Sequence, residues 1–111
     1  ETVVDLGAGG GYYSFLIAPK VAKVIAVDIQ PEMLAIMDRK IKNSGVKNVE
    51  LLLGKEQEPG LRPSSVDTII MVDVYHELAF PREVTRKLVD ALKTGGRVVF
   101  VEFRLEKESE I

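Results

Sequence analysis

Short apolar runs alternate with stretches of helical periodicity, which predicts repeated strand–helix units around a parallel sheet. Thr2–Leu6 reads as the first strand, followed by a short helix over 12–18 with Pro19 at its end. Residues 23–28 are β-branched and nearly all apolar, as a strand covered on both faces is. Pro31 and Glu32 suit the first turn of the next helix, where Met33, Leu34, Met37 and Ile41 form one apolar face. Lys40 and Lys42 fall near its negative end, and Gly45 is a natural stop. A third strand is expected at 49–53. A polar loop with room for one helical turn follows over 54–65, around Pro59, Gly60 and Pro63. The fourth strand is expected over 66–72, ending near Asp73, with a loop over 74–80. The last helix starts around Pro81, turns Val84, Leu88, Val89 and Leu92 inward, and stops at Gly95-Gly96. A fifth strand over 97–103 and a loose charged tail over 104–111 complete the pattern.

The glycine-dense turn Asp5-Leu6-Gly7-Ala8-Gly9-Gly10-Gly11 lies between the first strand and a helix start. Such a junction brings a ligand onto backbone amides, and glycines leave out the Cβ atoms that would hold it away. A dinucleotide fingerprint would need a small residue at position 12, where this chain has Tyr12. The plainer alternative is a tight turn and nothing more. Asp28 ends the second strand, where an open parallel sheet binds ligands. Its carboxylate suits a ribose diol, and its alternative role is a solvated acid or cap before Pro31. After the fourth strand come Asp73 and His76. Asp73 is a candidate to orient substrate or cofactor, or else a buried acid bonded to loop amides. His76 is a candidate base with an ordinary pKa near neutrality, or else a surface residue. Tyr12 and Tyr13 either cover a cofactor or are ordinary helix-start aromatics.

Composition narrows this only at the margins. The 111 residues fit one domain, and 46% apolar content permits a packed core. No run among these residues is long enough to span a bilayer, and none reads as a charged-then-apolar signal segment. A net charge of -2 without a basic stripe argues against nucleic acid as a partner. The absence of cysteine excludes disulfides and thiolate metal sites, and a single His excludes a His-rich one. A cytoplasmic setting is the default expectation.

These features together resemble class I S-adenosylmethionine-dependent methyltransferases over nearly the whole chain. The resemblance rests on residues 3–11, 24–34 and 66–71, and on Leu92-Lys93-Thr94-Gly95-Gly96-Arg97-Val98. Residues 73–78 look like small bacterial and archaeal, type 11-like methyltransferases of undefined substrate. The resemblance implies an α/β, Rossmann-like, open and mainly parallel sheet of strand order 3-2-1-4-5, with helices on both faces. It implies S-adenosylmethionine as cofactor and S-adenosylhomocysteine as product. Gly7, Ala8, Gly9 and Gly11 would line the methionine end, with Asp5 supporting that loop and reaching the amino group through water. Asp28 would hold the ribose hydroxyls, Ile29 would lie against the adenine, and Asp73 would lie near the sulfonium. His76 stands where many relatives have His. Lys55 sits where relatives often carry an acid for the adenine amino group, so Glu56 or a backbone contact is the substitute candidate. No Asn-Pro-Pro-Tyr-like motif follows the fourth strand, which argues against amino methylation of nucleobases or glutamine.

Five strands instead of the family's seven make residues 1–111 a truncated methyltransferase core, expected to be a fragment of a longer chain. The fifth strand would be an open edge, covered either by another chain, such as a second copy, or by disorder-prone flanking residues. The expected reaction is methyl transfer to an unidentified acceptor, most simply a small molecule, with Asp73 and His76 as catalytic candidates and no metal. The rivals are an NAD(P)-dependent oxidoreductase and a non-catalytic cofactor-binding or scaffold domain.

Overall fold

The second apolar run is buried from both sides, as its composition requires: Val24 and Ala26 face one way, Val27 the other, and none is more than 1% exposed. The computed structural model describes residues 1–72 and 79–101. Five parallel strands form one sheet: β1 (Thr2–Leu6), β2 (Lys23–Asp28), β3 (Val49–Leu53), β4 (Val66–Val72) and β5 (Leu92–Val101). Their spatial order is β3-β2-β1-β4-β5, as expected. The chain steps outward from β1 to β3, then crosses back to β4 on the other side of β1. That reversal sets a crevice beyond the carboxyl ends of the central strands.

Register carries the core from strand to strand. Val4 lies between Ile25 and Ile69, and Leu6 between Val27 and Met71. Helix α3 (Pro81–Ala91) closes this face with Val84, Leu88 and Ala91. Helices α1 (Tyr12–Ile17) and α2 (Pro31–Ser44) cover the opposite face, where Ser14 of α1 meets Asp5 of β1. Met37 of α2 is fully buried there. α2 begins at Pro31 and is capped by Gly45, at the predicted ends.

Four sequence expectations need correction. α1 ends at Ile17, and Ala18–Lys20 with Pro19 form a 3-10 turn. The 54–65 loop has no helical turn. It is held instead by paired backbone bonds between Lys55 and Glu58, and by the Ser64 and Ser65 amides donating to Asp90 and Ala91. α3 stops at Ala91, ahead of the glycine pair, because Leu92 is extended and already pairs with Val66. Gly95 and Gly96 fall within an irregular stretch of β5 between the Leu92 and Arg97 pairings. Val89 is 57% exposed, since at ~100° per residue it sits well away from the stripe of Val84, Leu88 and Ala91. Residues 74–78 of the predicted 74–80 loop, the end of strand five and the 104–111 tail lie outside the described residues. Among the described residues, no helix is long and apolar enough to cross a membrane.

The glycine turn meets α2 at Gly11. Its φ is +90°, and a Cβ there would lie 2.8 Å from both Met37 Cγ and the Phe15 ring. Left-handed strain and overpacking act together, so Gly11→Ala should destabilise the fold by about 2–4 kcal/mol in urea titration. A loss under roughly 1 kcal/mol would show that Met37 and Phe15 yield easily.

Candidate functional site

β1 and β2 end side by side, and the turn over residues 7–11 is fastened to the end of β2. The Gly7 and Ala8 amides both donate to the Val27 carbonyl, at 2.8 and 3.0 Å. The Gly9 amide donates to Asp28 Oδ2 at 2.8 Å. The Gly11 amide donates to the Ala8 carbonyl at 3.0 Å. From α2, Lys40 Nζ donates to the Gly10 carbonyl at 2.8 Å.

Asp28 joins three segments. Besides Gly9, its carboxylate accepts the Gln30 amide at 2.9 Å, which shapes the entry to α2. Its carbonyl accepts the Gly54 amide at 2.9 Å, which brings in the chain after β3. The side chain is only 9% exposed, yet it borders a cavity of about 370 Å³ at the carboxyl ends of the strands. Leu6, Gly7 and Gly9 line one part of that cavity, and Val27, Asp28, Ile29, Gln30 and Met33 another. Gly54, Lys55, Glu56 and Pro59 add the loop after β3, while Ala79 and Val84 come from the α3 side. Glu58 ties that loop to α3 through Lys87 at 3.0 Å, and the Lys87 ammonium and the Gly60 amide hold its carboxyl below the usual range.

Five of the residues expected to bind a cofactor meet around this cavity: Gly7, Gly9, Asp28, Ile29 and Glu56. Asp5, Ala8 and Gly11 do not line it. Ala8 is turned to Val27 and Gly11 packs on Met37. Asp5 lies behind the loop, 3% exposed, where Ser14 Oγ donates to its Oδ2 at 2.8 Å. Asp73 and His76 lie outside the described residues. Tyr12 and Tyr13 meet edge to face at 5.0 Å and do not line the cavity. Tyr12, 68% exposed, borders a separate hollow with Phe15, Leu16 and Lys40.

Lining residues that the sequence reading passed over include Gln30, Met33, Gly54 and Pro59. Gly54 carried a usable signal, a glycine directly after an apolar strand. A Cβ on it would come within 3.0 Å of Val27 Cγ1, so the close approach of two strand ends requires it.

The arrangement has room where a ligand needs it. A Cβ on Gly9 would meet nothing within 4 Å, so the missing side chain leaves open space at the cavity edge. Each Asp28 oxygen accepts one amide and keeps a second lone pair for a ligand hydroxyl. Val27, Ile29, Met33 and Val84 supply apolar walls for a flat ring.

A family profile described as a methyltransferase domain matches residues 1–110, and the chain belongs to that family. An arsenite methyltransferase from Halobacterium salinarum is 34% identical over 101 residues, covering 88% of this chain and 26% of that protein. A SAM-dependent methyltransferase from Aquifex aeolicus has a solved structure similar to this chain, with a TM-score of 0.79 and 36% identity, over 83% of this chain and 50% of that one. The structure of YcgJ from Bacillus subtilis gives a TM-score of 0.84 at 28% identity, over 89% and 42%. The chain thus spans about a quarter to a half of the length of these relatives.

Burial pushes the Asp5 carboxyl from 3.8 up to about 6, against the Ser14 hydroxyl and amide that hold it down, with the Asp28 charge adding to the rise. The folded protein therefore holds this proton more tightly than the unfolded chain does. Asp5 stabilises the fold at low pH, and that contribution is lost as pH rises from 3.8 to about 6. At ~1.4 kcal/mol per unit the loss is about 3 kcal/mol. Asp5→Asn should gain that much relative to wild type between about pH 4 and about pH 7 in urea titrations. A difference that does not change with pH would mean that Asp5 titrates normally.

Proposed function

We propose that the chain is the cofactor-binding core of an S-adenosylmethionine-dependent methyltransferase that acts on a small molecule. The observation that carries this reading is Asp28: a carboxylate at the end of β2, bordering the cavity, with Gly9 open beside it. In this reading the carboxylate accepts two hydroxyls of the ribose. Gly7 and Gly9 receive the amino-acid end, and Ile29, Met33 and Val84 pack around the adenine. Glu56 takes the adenine amino group in place of the acid that Lys55 replaces; both line the cavity.

When bound, S-adenosylmethionine supplies a methyl group already activated by its sulfonium. The protein then has to bind, orient and exclude water, and orientation alone lowers such barriers substantially. Asp73 and His76 are proposed from the sequence for the acceptor side, Asp73 near the sulfonium and His76 as base or positioning group. A base is needed only for a protonated, weakly acidic acceptor. β5 ends the described sheet, and a second copy pairing along it is the proposed dimer; a strictly monomeric mass in concentrated solution would overturn that pairing.

Calorimetry with S-adenosylhomocysteine tests the cofactor reading. Asp28→Ala removes the acceptor for the ribose and frees the Gly9 amide, so affinity should fall on the order of a hundredfold. Equal affinities would sink the ribose assignment. His76→Ala should bind S-adenosylhomocysteine as wild type does. A large loss would move His76 from the acceptor side to the cofactor.

A further inference from the structure

We propose that Ser14 is a positioning residue of the cofactor site: its buried hydroxyl holds the Asp5 carboxyl in place behind the glycine loop, where the carboxylate favours a cationic ligand end. The proposal rests on the reading that this loop receives the amino-acid end of S-adenosylmethionine.

The geometry is that of a clasp. Asp5 belongs to the strand entering the loop, and Ser14 to the first turn of the helix leaving it. Their 2.8 Å bond joins the two sides, and Ser14 is fully buried. Asp28 takes Gly9 from the cavity side. Two carboxylates therefore bracket the same short turn. Asp5 sits in register with Ala26 of β2 and Ile70 of β4, so its neighbours along the sheet are apolar. Asp28 opposes its ionisation, and from α2 the Lys40 ammonium reaches the same turn at the Gly10 carbonyl.

Burial alone would drive such a carboxyl neutral. The Ser14 hydroxyl and amide work in the other direction, and the balance lies at about 6. Ser14 thus favours the charged form of the acid that backs the loop. An ammonium or sulfonium brought to the loop favours that anion in return, so binding and deprotonation of Asp5 reinforce each other. Without the hydroxyl, Asp5 stays protonated to higher pH and the loop loses that attraction.

The test is calorimetric binding of S-adenosylhomocysteine to the full-length protein from about pH 5 to about pH 8. Wild-type affinity should weaken as pH falls through about 6. Ser14→Ala should move that midpoint upward by about one unit while leaving high-pH affinity within about threefold. Ser14→Thr, which keeps the hydroxyl, should return the midpoint toward wild type. An unmoved midpoint in Ser14→Ala overturns the proposal. A second measurement needs no variant: the Asp5 carboxyl, followed by carbon-13 NMR, should titrate lower when S-adenosylhomocysteine is bound, and an unchanged titration overturns the proposal as well. Asp28→Ala separates the two readings. If it binds normally, the cofactor assignment fails. If it binds weakly while Ser14→Ala behaves as wild type, the role of Ser14 fails alone.

Discussion

The carbonyl of Val27 accepts two amides of the glycine turn, and the carboxylate of the next residue accepts a third. Most of the site depends on this junction. Amides of a turn partly buried against strand ends need partners there, although Gly7 itself is exposed. The last two residues of β2 provide them. Asp28 in turn shapes the entry to α2 through Gln30 and draws in Gly54 from the far side. Moving β2 by one residue would reverse its buried faces and remove Asp28 from the cavity.

That dependence explains why so much of the sheet was legible in the sequence. The first four strands match their expected limits because each is a short apolar run closed by an acid, a glycine or a polar stretch. The end of α3 was not legible. Two glycines look like a helix stop, but the stop came earlier, where Leu92 could pair with Val66 and pack against the core. Val89 shows a related limit. An apolar side chain near the buried stripe of a helix reads as core, and only the angular position of its neighbours reveals that it faces water.

The site divides along a similar line. Gly7, Gly9, Asp28 and Ile29 carry signals within a few residues of chain, a turn and a strand end, and they meet at the cavity. Pro59, Ala79 and the second duty of Val84 depend on how distant segments close over the crevice, which no local pattern records. Gly11 was legible as a special position but not for its reason. Its close contacts are with Met37 of α2 and Phe15 of α1, and not the helix–strand approach that a third fingerprint glycine would make at position 12. Ser14 gave no signal. A serine in a first helical turn is ordinary until the acid of the preceding strand is seen to lie 2.8 Å from it.

The bonds of the loop also bear on what it can hold. A glycine loop that cradles a pyrophosphate offers several free amides to the anion. Here the amides of Gly7, Ala8, Gly9 and Gly11 already donate to Val27, Asp28 and Ala8. The charges point the same way. Asp5 stands behind the turn and Asp28 at its cavity side, so a doubly charged phosphate group would meet two carboxylates and few donors. A ligand end carrying an ammonium, with a sulfonium close by, meets the opposite situation. The proposed cofactor therefore suits this loop because four of its amides are already bonded and two carboxylates bracket it, with Lys40 engaged at the Gly10 carbonyl. Glycines alone do not distinguish the two uses; the partners of their amides do.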